Sequence, residues 1–182
     1  MDSINIIITV VLVLVVIGAI LGTVFANRNR SKKLHDYFGT EYDHTVQIMG
    51  NEKKAQTELN DRWKHVETLD IHPLTEIERA RYMTDWSAVQ SKFVDEPGQA
   101  IIDADRLIME VMQLRAYPVS DFDQRAADIS VNYPELVSNY RAAREIANKN
   151  KQNQANTEEL RQALIYYRSL FEELLETEVV VA

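Results

Sequence analysis

Residues 100–114 read A-I-I-D-A-D-R-L-I-M-E-V-M-Q-L, and this stretch decides the fold class. Its apolar side chains recur at steps of four and three residues, which is the spacing along one face of an α-helix. The residues on this face are Ala100, Ile101, Ala104, Leu107, Ile108, Val111 and Leu114. A helix with so broad an apolar face must be covered by other elements, so the flanking sequence has to supply them.

A second helix is predicted before this stretch. Thr75-Glu-Ile-Glu78 fits a capping box, in which a Thr hydroxyl and a Glu carboxylate bind amide groups at a helix start. We place the end of this helix near Val94, and Asp95-Glu96-Pro97 has the features of the next helix start. An aromatic stripe at helical spacing is expected to face the core: Tyr82, Trp86, Val89 and Phe93.

Three more helices are predicted after it. Ser120-Asp-Phe-Asp123 resembles a capping box and opens a short helix that ends near Val131. A longer helix carries residues 136–147, and a last helix begins with Thr157 as its cap. Between them, residues 148–156 are polar and lack an apolar anchor, which is typical of a mobile loop.

The predicted fold class is therefore all-α. A bundle of about four or five helices occupies residues 73–176, because short connections favour neighbouring helices that pack side by side. Only the apolar tail, residues 177–182, has a strand-like pattern.

Residues 4–26 form an uncharged apolar run, I-N-I-I-I-T-V-V-L-V-L-V-V-I-G-A-I-L-G-T-V-F-A. As a helix this run spans about 30 Å of hydrocarbon, so residues 1–27 are predicted to be a transmembrane anchor. The alternative is a cleaved signal peptide. It is disfavoured because the chain begins Met-Asp-Ser and its basic residues follow the apolar run.

Basic residues follow the run at once, at Arg28, Arg30, Lys32 and Lys33. The positive-inside rule places this flank and the body in the cytoplasm and the amino terminus outside. Recognition of anionic lipid by these side chains is a further hypothesis, but a role in topology alone or as a snorkelling anchor is favoured over it.

Gly18 and Gly22 have the G-x-x-x-G spacing that lets two transmembrane helices approach closely. This spacing predicts a dimer seam and a homodimer. The alternative is that glycine is simply common in such helices.

Residues 28–72 predict a helical arm next to the membrane. Apolar residues between 34 and 69 follow a heptad frame, as in a coiled coil, but polar residues such as Glu41 and Arg62 occupy the same frame. Gly39 and Gly50 punctuate the arm, and we expect two helices there. The frame leaves open whether the arm is an extended stalk or packs on the bundle.

Composition and motifs argue against several functions. The net charge of -8 repels a phosphate backbone, so nucleic-acid binding is not expected. The absence of cysteine excludes disulfides, thiolate metal sites and thiol nucleophiles. No G-x-x-x-x-G-K-[ST], G-x-G-x-x-G, G-x-S-x-G or H-E-x-x-H motif occurs. We therefore predict no enzyme activity and no cofactor.

Metal sites are also not predicted. No two histidines have the i, i+4 spacing by which one helix offers two ligands. The acidic residues Asp121, Asp123 and Asp128 lack the glycine and the terminal glutamate of a calcium-binding EF-hand loop.

Two stretches carry a family resemblance, F-G-T-E-Y-D-H-T-V at 38–46 and Y-P-V-S-D-F-D-Q-R-A-A-D-I-S at 117–130. With these segments, the chain resembles a family of functionally uncharacterised bacterial single-pass membrane proteins. The resemblance implies a bacterial origin, and with the anchor it implies the inner membrane. It implies no activity, cofactor or site residue.

The first functional hypothesis is a membrane-tethered interaction or scaffold module that docks another protein. Its predicted surface is the short polar helix between two prolines, because polar segments at such breaks often carry binding residues. The residues proposed for this surface are Asp121, Asp123, Arg125 and Asp128.

The alternative is a sensor of a small molecule or lipid, with Tyr82, Trp86, Phe93 and Tyr140 lining a pocket between helices. The competing interpretation of these rings is that they fill the core. An enzyme of unrecognised class is the third hypothesis.

Overall fold

The computed structural model describes residues 31–176, which form helices joined by turns, so the all-α prediction is confirmed for this range. The helices are α1 (31–38), α2 (Thr40–Met49), α3 (Glu52–Glu67), α4 (Glu76–Asp95), α5 (Pro97–Leu114), α6 (Phe122–Asn132), α7 (Val137–Lys151) and α8 (Thr157–Leu175).

The predicted anchor, with Gly18 and Gly22, lies outside the described residues, as do Arg28, Arg30 and the tail 177–182. Among residues 31–176, no helix combines the length and the apolar character needed to cross a bilayer.

Helix α5 is the centre of the bundle. It packs against α4, α7 and α8, and both Ile101 and Ile108 are fully buried. The apolar face predicted from residues 100–114 is therefore the core face. Burial of each such side chain stabilises the fold by about 1.5–3 kcal/mol, so this helix supplies a large part of the apolar core.

Helix α4 lies on α5 with Tyr82, Trp86 and Val89 buried, as the aromatic stripe predicts. Its capping box is confirmed: the Thr75 hydroxyl accepts from the Glu78 amide, and the Glu78 carboxylate accepts from the Thr75 amide. This double contact determines where the helix begins.

The predicted start of the last helix is wrong by one residue. Asn156, rather than Thr157, is the cap: its Oδ1 accepts from the Glu159 amide at 2.9 Å. The Glu159 carboxylate accepts from the Asn156 amide at 2.8 Å. An Asn cap with Glu three residues later satisfies two end amides, which leaves Thr157 as the first helical residue.

The loop predicted for residues 148–156 is shorter in the structure, because α7 continues to Lys151. The Asn150 side chain donates to the Gly98 carbonyl at the start of α5, at 2.8 Å. The turn then closes through Asn153, whose φ is 55°, and a hydrogen bond from the Gln154 amide to the Lys149 carbonyl. The Asn150 side chain therefore binds backbone from a distant part of the chain, and α7 extends into the predicted loop.

Arg115 is fully buried behind α5 and connects three parts of the chain. Its guanidinium donates to the His72 carbonyl at 3.2 Å, to the Tyr133 hydroxyl at 2.9 Å and to the Leu174 carbonyl at 2.9 Å. A cation at the last carbonyls of α8 is favoured by the helix dipole. Arg115 therefore holds the end of α8 and the connection before α4 together.

The arm, formed by α1, α2 and α3, packs on the bundle and is not an extended stalk. Phe38, Tyr42, Leu59 and Val66 form a second apolar cluster, which is completed by Val131 of α6. The Tyr37 hydroxyl of the arm also donates to the Val131 carbonyl at 2.8 Å. Helix α6 thus lies between the arm and the rest of the bundle.

The chain turns between α1 and α2 at Gly39, with φ 50° and ψ -126°. Only glycine adopts this combination without strain. The turn lets Glu41 and Tyr42 face inward directly after Phe38, so both ends of the break contribute buried side chains.

Candidate functional site

The four residues of the predicted docking surface do not share one surface. Asp121 and Asp123 are exposed at the start of α6, whereas Arg125 and Asp128 are buried. Asp121 is the helix cap, and its Oδ1 accepts from the Gln124 amide at 2.9 Å. That hydrogen bond holds the pKa of Asp121 below its usual range.

Arg125 has a structural position rather than an exposed one. Its guanidinium donates to the Tyr140 hydroxyl at 3.3 Å and to the Ser120 carbonyl at 3.4 Å. It also lies over the Phe122 ring, at 5.8 Å from the centroid. The docking role predicted for Arg125 is corrected, because a partner protein does not reach a side chain held in this way.

Asp128 is completely buried, so its predicted docking role is corrected as well. Its Oδ1 accepts from the Gln124 side chain at 2.8 Å and lies 3.6 Å from Nε2 of His65 on α3. Its Oδ2 has no hydrogen-bond partner within residues 31–176. Burial raises the pKa of Asp128, since it penalises the charged carboxylate.

A polar cluster joins the arm to the bundle, and we call it the junction. It consists of Glu41, His44, Arg62, His65, Asp128 and Arg141. Glu41 is its centre and is only 1% exposed. Arg141 of α7 binds both carboxylate oxygens of Glu41, with Nη2 at 2.9 Å from Oε1. Arg62 of α3 donates to the same Oε1 at 2.7 Å.

Burial alone would raise the pKa of Glu41, but the two neighbouring arginines lower it by more. Hydrogen bonds and charges from Arg141 and Arg62 hold the pKa of Glu41 below its usual range. One carboxylate thus pairs with two guanidinium groups from different helices. The bidentate contact of Arg141 with the Glu41 carboxylate also restricts the relative orientation of the two side chains.

Two histidines lie beside this pair of charges. Nδ1 of His44 is 3.6 Å from Oε2 of Glu41 and has no hydrogen-bond partner within the described part of the chain. Burial and the charge of Arg141 lower the pKa of His44. His65 approaches Asp128 in the same way, so each buried carboxylate has a histidine at its edge.

The junction has the chemistry of a structural contact. Two hydroxyls lie beside it, and each donates to a backbone carbonyl. Thr45 donates to the Glu41 carbonyl at 2.8 Å, and Ser130 donates to the Ala127 carbonyl at 2.6 Å and accepts weakly from Arg62 at 3.4 Å. Its carboxylates each face cations or a histidine. No group of three potential metal ligands occurs in residues 31–176. The arrangement connects helices α2, α3, α6 and α7 through one network.

Sequence reasoning did not identify the junction, although a signal was present. Glu41 and Arg62 occupy heptad positions that otherwise carry apolar residues. Two opposite charges on a buried frame predict an ion pair, because neither is tolerated alone in the interior. Arg141 gave no comparable signal, since its helix has the ordinary pattern of an exposed polar face.

The four rings of the predicted aromatic pocket do not line a common cavity. Trp86 stacks on Phe171 with centroids 4.6 Å apart, while Tyr140 contacts Phe122 at 5.0 Å. Tyr82 and Tyr140 are buried and Phe93 is partly buried against the same core. Their competing interpretation as core residues therefore describes them better, except that Trp86 also lines a groove.

Helix α4 has an uncharged face directed away from the core, which we call the outer α4 face. Its residues follow steps of three and four and are all exposed: Ile77, Ala80, Thr84, Ser87, Ser91 and Val94. Ile77 is 83% exposed and Val94 is 81% exposed. In the basic flank, Lys32 and Lys33 are exposed on α1.

Comparison with known proteins gave no match: no family model, no curated protein and no solved structure corresponds to this chain. The family resemblance of residues 38–46 and 117–130 therefore stays a prediction.

The junction predicts the effect of neutralising its central charge. Glu41→Gln leaves Arg62 and Arg141 without their carboxylate, and removal of one partner of a buried ion pair costs about 3 kcal/mol or more. We expect the free energy of unfolding of the full-length protein in detergent to fall by that amount. Urea titration followed by circular dichroism measures it.

Glu58→Gln is the matched control. Glu58 also binds Arg62, at 2.9 Å, but is partly exposed, so its loss is expected to cost less than about 1 kcal/mol. Equal effects of the two substitutions would contradict the central position of Glu41.

The raised pKa of Asp128 predicts a pH-dependent effect. The folded state holds this proton more tightly than the unfolded chain, so stability falls as pH rises from the ordinary pKa of 3.8 through the raised value. Asp128→Asn removes the buried charge. We expect its melting temperature to exceed that of the wild type at pH 7, and the difference to shrink towards zero below pH 3.8.

Thermal melting across that pH range tests this expectation, with Asp123→Asn as an exposed control on the same helix. A lower melting temperature for Asp128→Asn at pH 7 would show that the charged form is needed.

Proposed function

We propose that this chain is a membrane-tethered interaction or scaffold module. In this proposal residues 4–26 anchor it in the bacterial inner membrane, and the arm and bundle lie on the cytoplasmic side. The outer α4 face then docks a helix of a partner protein. The single observation that carries the proposal is the outer α4 face, which is exposed and uncharged on a chain with a net charge of -8.

The polar groups of this face are already satisfied within α4. The hydroxyls of Thr84, Ser87 and Ser91 donate to the carbonyls four residues earlier, each at 3.0 Å. A partner therefore loses little when these hydroxyls leave water, because their hydrogen bonds are kept. The face behaves as a surface of small, nearly apolar side chains.

Small side chains favour one kind of occupant. They let another helix approach closely, so that its side chains fit between the rows of α4. Ile77 and Val94 lie at the two ends of the face, and a partner that covers them removes their exposed apolar surface from water. We therefore infer a partner helix with an uncharged contact stripe.

The junction supports the same function. Because Glu41 connects α2 to α3 and α7, the arm has a defined position on the bundle. A docking face on α4 then has a defined orientation relative to the arm and, in this proposal, to the membrane. Of the originally predicted surface, Asp121 and Asp123 stay available for a polar contact with a partner.

Site-specific crosslinking tests this proposal. A photoreactive benzoylphenylalanine at Thr84 of the full-length protein is expected to give a discrete adduct with another protein in native membranes. Ser87→Arg places a charge in the centre of the face and is expected to reduce that adduct by about tenfold, since an unpaired charge opposes burial.

Ser138→Arg is the matched control, because Ser138 is exposed on α7 and the change in charge is the same. Absence of an adduct, or an equal effect of both substitutions, would contradict the proposed face. An adduct with a second copy of this chain would contradict a separate partner protein and would show instead that the face forms a homodimer.

A further inference from the structure

A groove of about 310 Å³ lies between α4 and α8. Its walls include Arg79, Met83 and Trp86 of α4, with Phe171 and Leu175 of α8. This volume is at the lower end of the range for ligand pockets, so a bound molecule would be small. The groove is separate from the junction, and it shares one lining residue, Ser87, with the outer α4 face.

Two side chains that line the groove each carry a buried hydrogen-bond donor without an acceptor. Trp86 is only 5% exposed, and its Nε1 has no hydrogen-bond partner in the described part of the chain. The same is true of Nε of Arg79. An unpartnered buried donor destabilises the folded state, so two such donors on the side chains of one groove favour an acceptor from outside the chain.

The charge of the groove indicates which acceptor. Arg79 forms no ion pair within residues 31–176, whereas Arg168, the other cation on the groove, binds Glu172 at 2.7 Å. A carboxylate supplies both the missing acceptor and the missing negative charge. Glu176 is exposed on the rim, and its repulsion disfavours a ligand with more than one negative charge.

The rest of the groove requires an apolar ligand body. The rings of Trp86 and Phe171 stack at an interplanar angle of 19° and form part of its wall. Met83 is 54% exposed beside them, and its flexible side chain adapts to different shapes. Both features favour a ring or a branched hydrocarbon over a polar group.

We propose that the groove between α4 and α8 binds a small monocarboxylate with an apolar body, whose carboxylate accepts hydrogen bonds from Trp86 and Arg79. This chemistry is found in free organic acids and at the carboxyl terminus of a peptide. The proposal is independent of the protein-docking function and of the anchor.

The indole N–H signals in a nitrogen-15 NMR spectrum of the full-length protein in detergent test the proposal. The chain has two tryptophans, so Trp63 serves as the internal reference. Its Nε1 already donates to Glu67 at 2.8 Å, and Trp63 does not line the groove. Phenylacetate represents a free acid, and N-acetylphenylalanine represents a peptide carboxyl terminus.

We expect at least one of these acids to move the Trp86 signal in a saturable way while the Trp63 signal stays in place. The acid that binds more tightly shows whether the groove takes a free organic acid or the carboxyl terminus of a peptide. The corresponding neutral amides are expected to bind about tenfold more weakly, because a charged acceptor forms the stronger hydrogen bond.

Substitutions assign the effect to the groove. Arg79→Gln is expected to weaken binding by about tenfold or more, whereas Arg81→Gln, the same change at an exposed position on the same helix, is expected to leave it unchanged. Arg79→Lys keeps the charge without Nε, and an intermediate affinity is expected. An unchanged Trp63 signal shows that each variant is folded.

Three results would overturn the proposal. The first is a Trp86 signal that neither acid moves, and the second is equal binding of acids and amides. The third is equal binding by Arg79→Gln and the wild type.

Discussion

The buried carboxylate of Glu41 is the constraint on which the arrangement of this protein depends. A carboxylate that is 1% exposed has lost its water, and hydrogen-bond donors or opposite charges must replace it. Arg62 and Arg141 supply this replacement from two other helices. The buried charge of Glu41 is therefore stabilised only when α2, α3 and α7 come together. An apolar contact alone would leave the arm free to shift, because it has no preferred direction.

The local backbone makes this contact accessible. The unusual turn at Gly39 redirects the chain after Phe38, and Glu41 and Tyr42 then face inward. The arm's apolar cluster closes over Val131 of α6, which places α6 between arm and bundle. The same helix brings Asp128 to His65, so the two buried carboxylates of the junction lie on opposite partners of the interface.

Much of the fold was predictable because its signals are local. The apolar face of residues 100–114 and the capping box at Thr75 depend on spacing along one helix, and both are confirmed. The errors came where the deciding partner is distant in sequence. Residues 148–156 looked like a loop because their polar side chains had no visible partner, yet Asn150 binds the carbonyl of Gly98. Arg125 and Asp128 looked exposed for the same reason.

The arm has one defined position on the bundle, and a distance measurement tests this most directly. The chain has no cysteine, so spin labels attach only to the two cysteines introduced by Lys53→Cys on α3 and Gln113→Cys on α5. Both positions are exposed. Pulsed electron paramagnetic resonance on the full-length protein in lipid nanodiscs should give a single narrow distance distribution, broadened when Glu41 is replaced by Gln. A broad distribution in the otherwise unaltered protein would contradict the account.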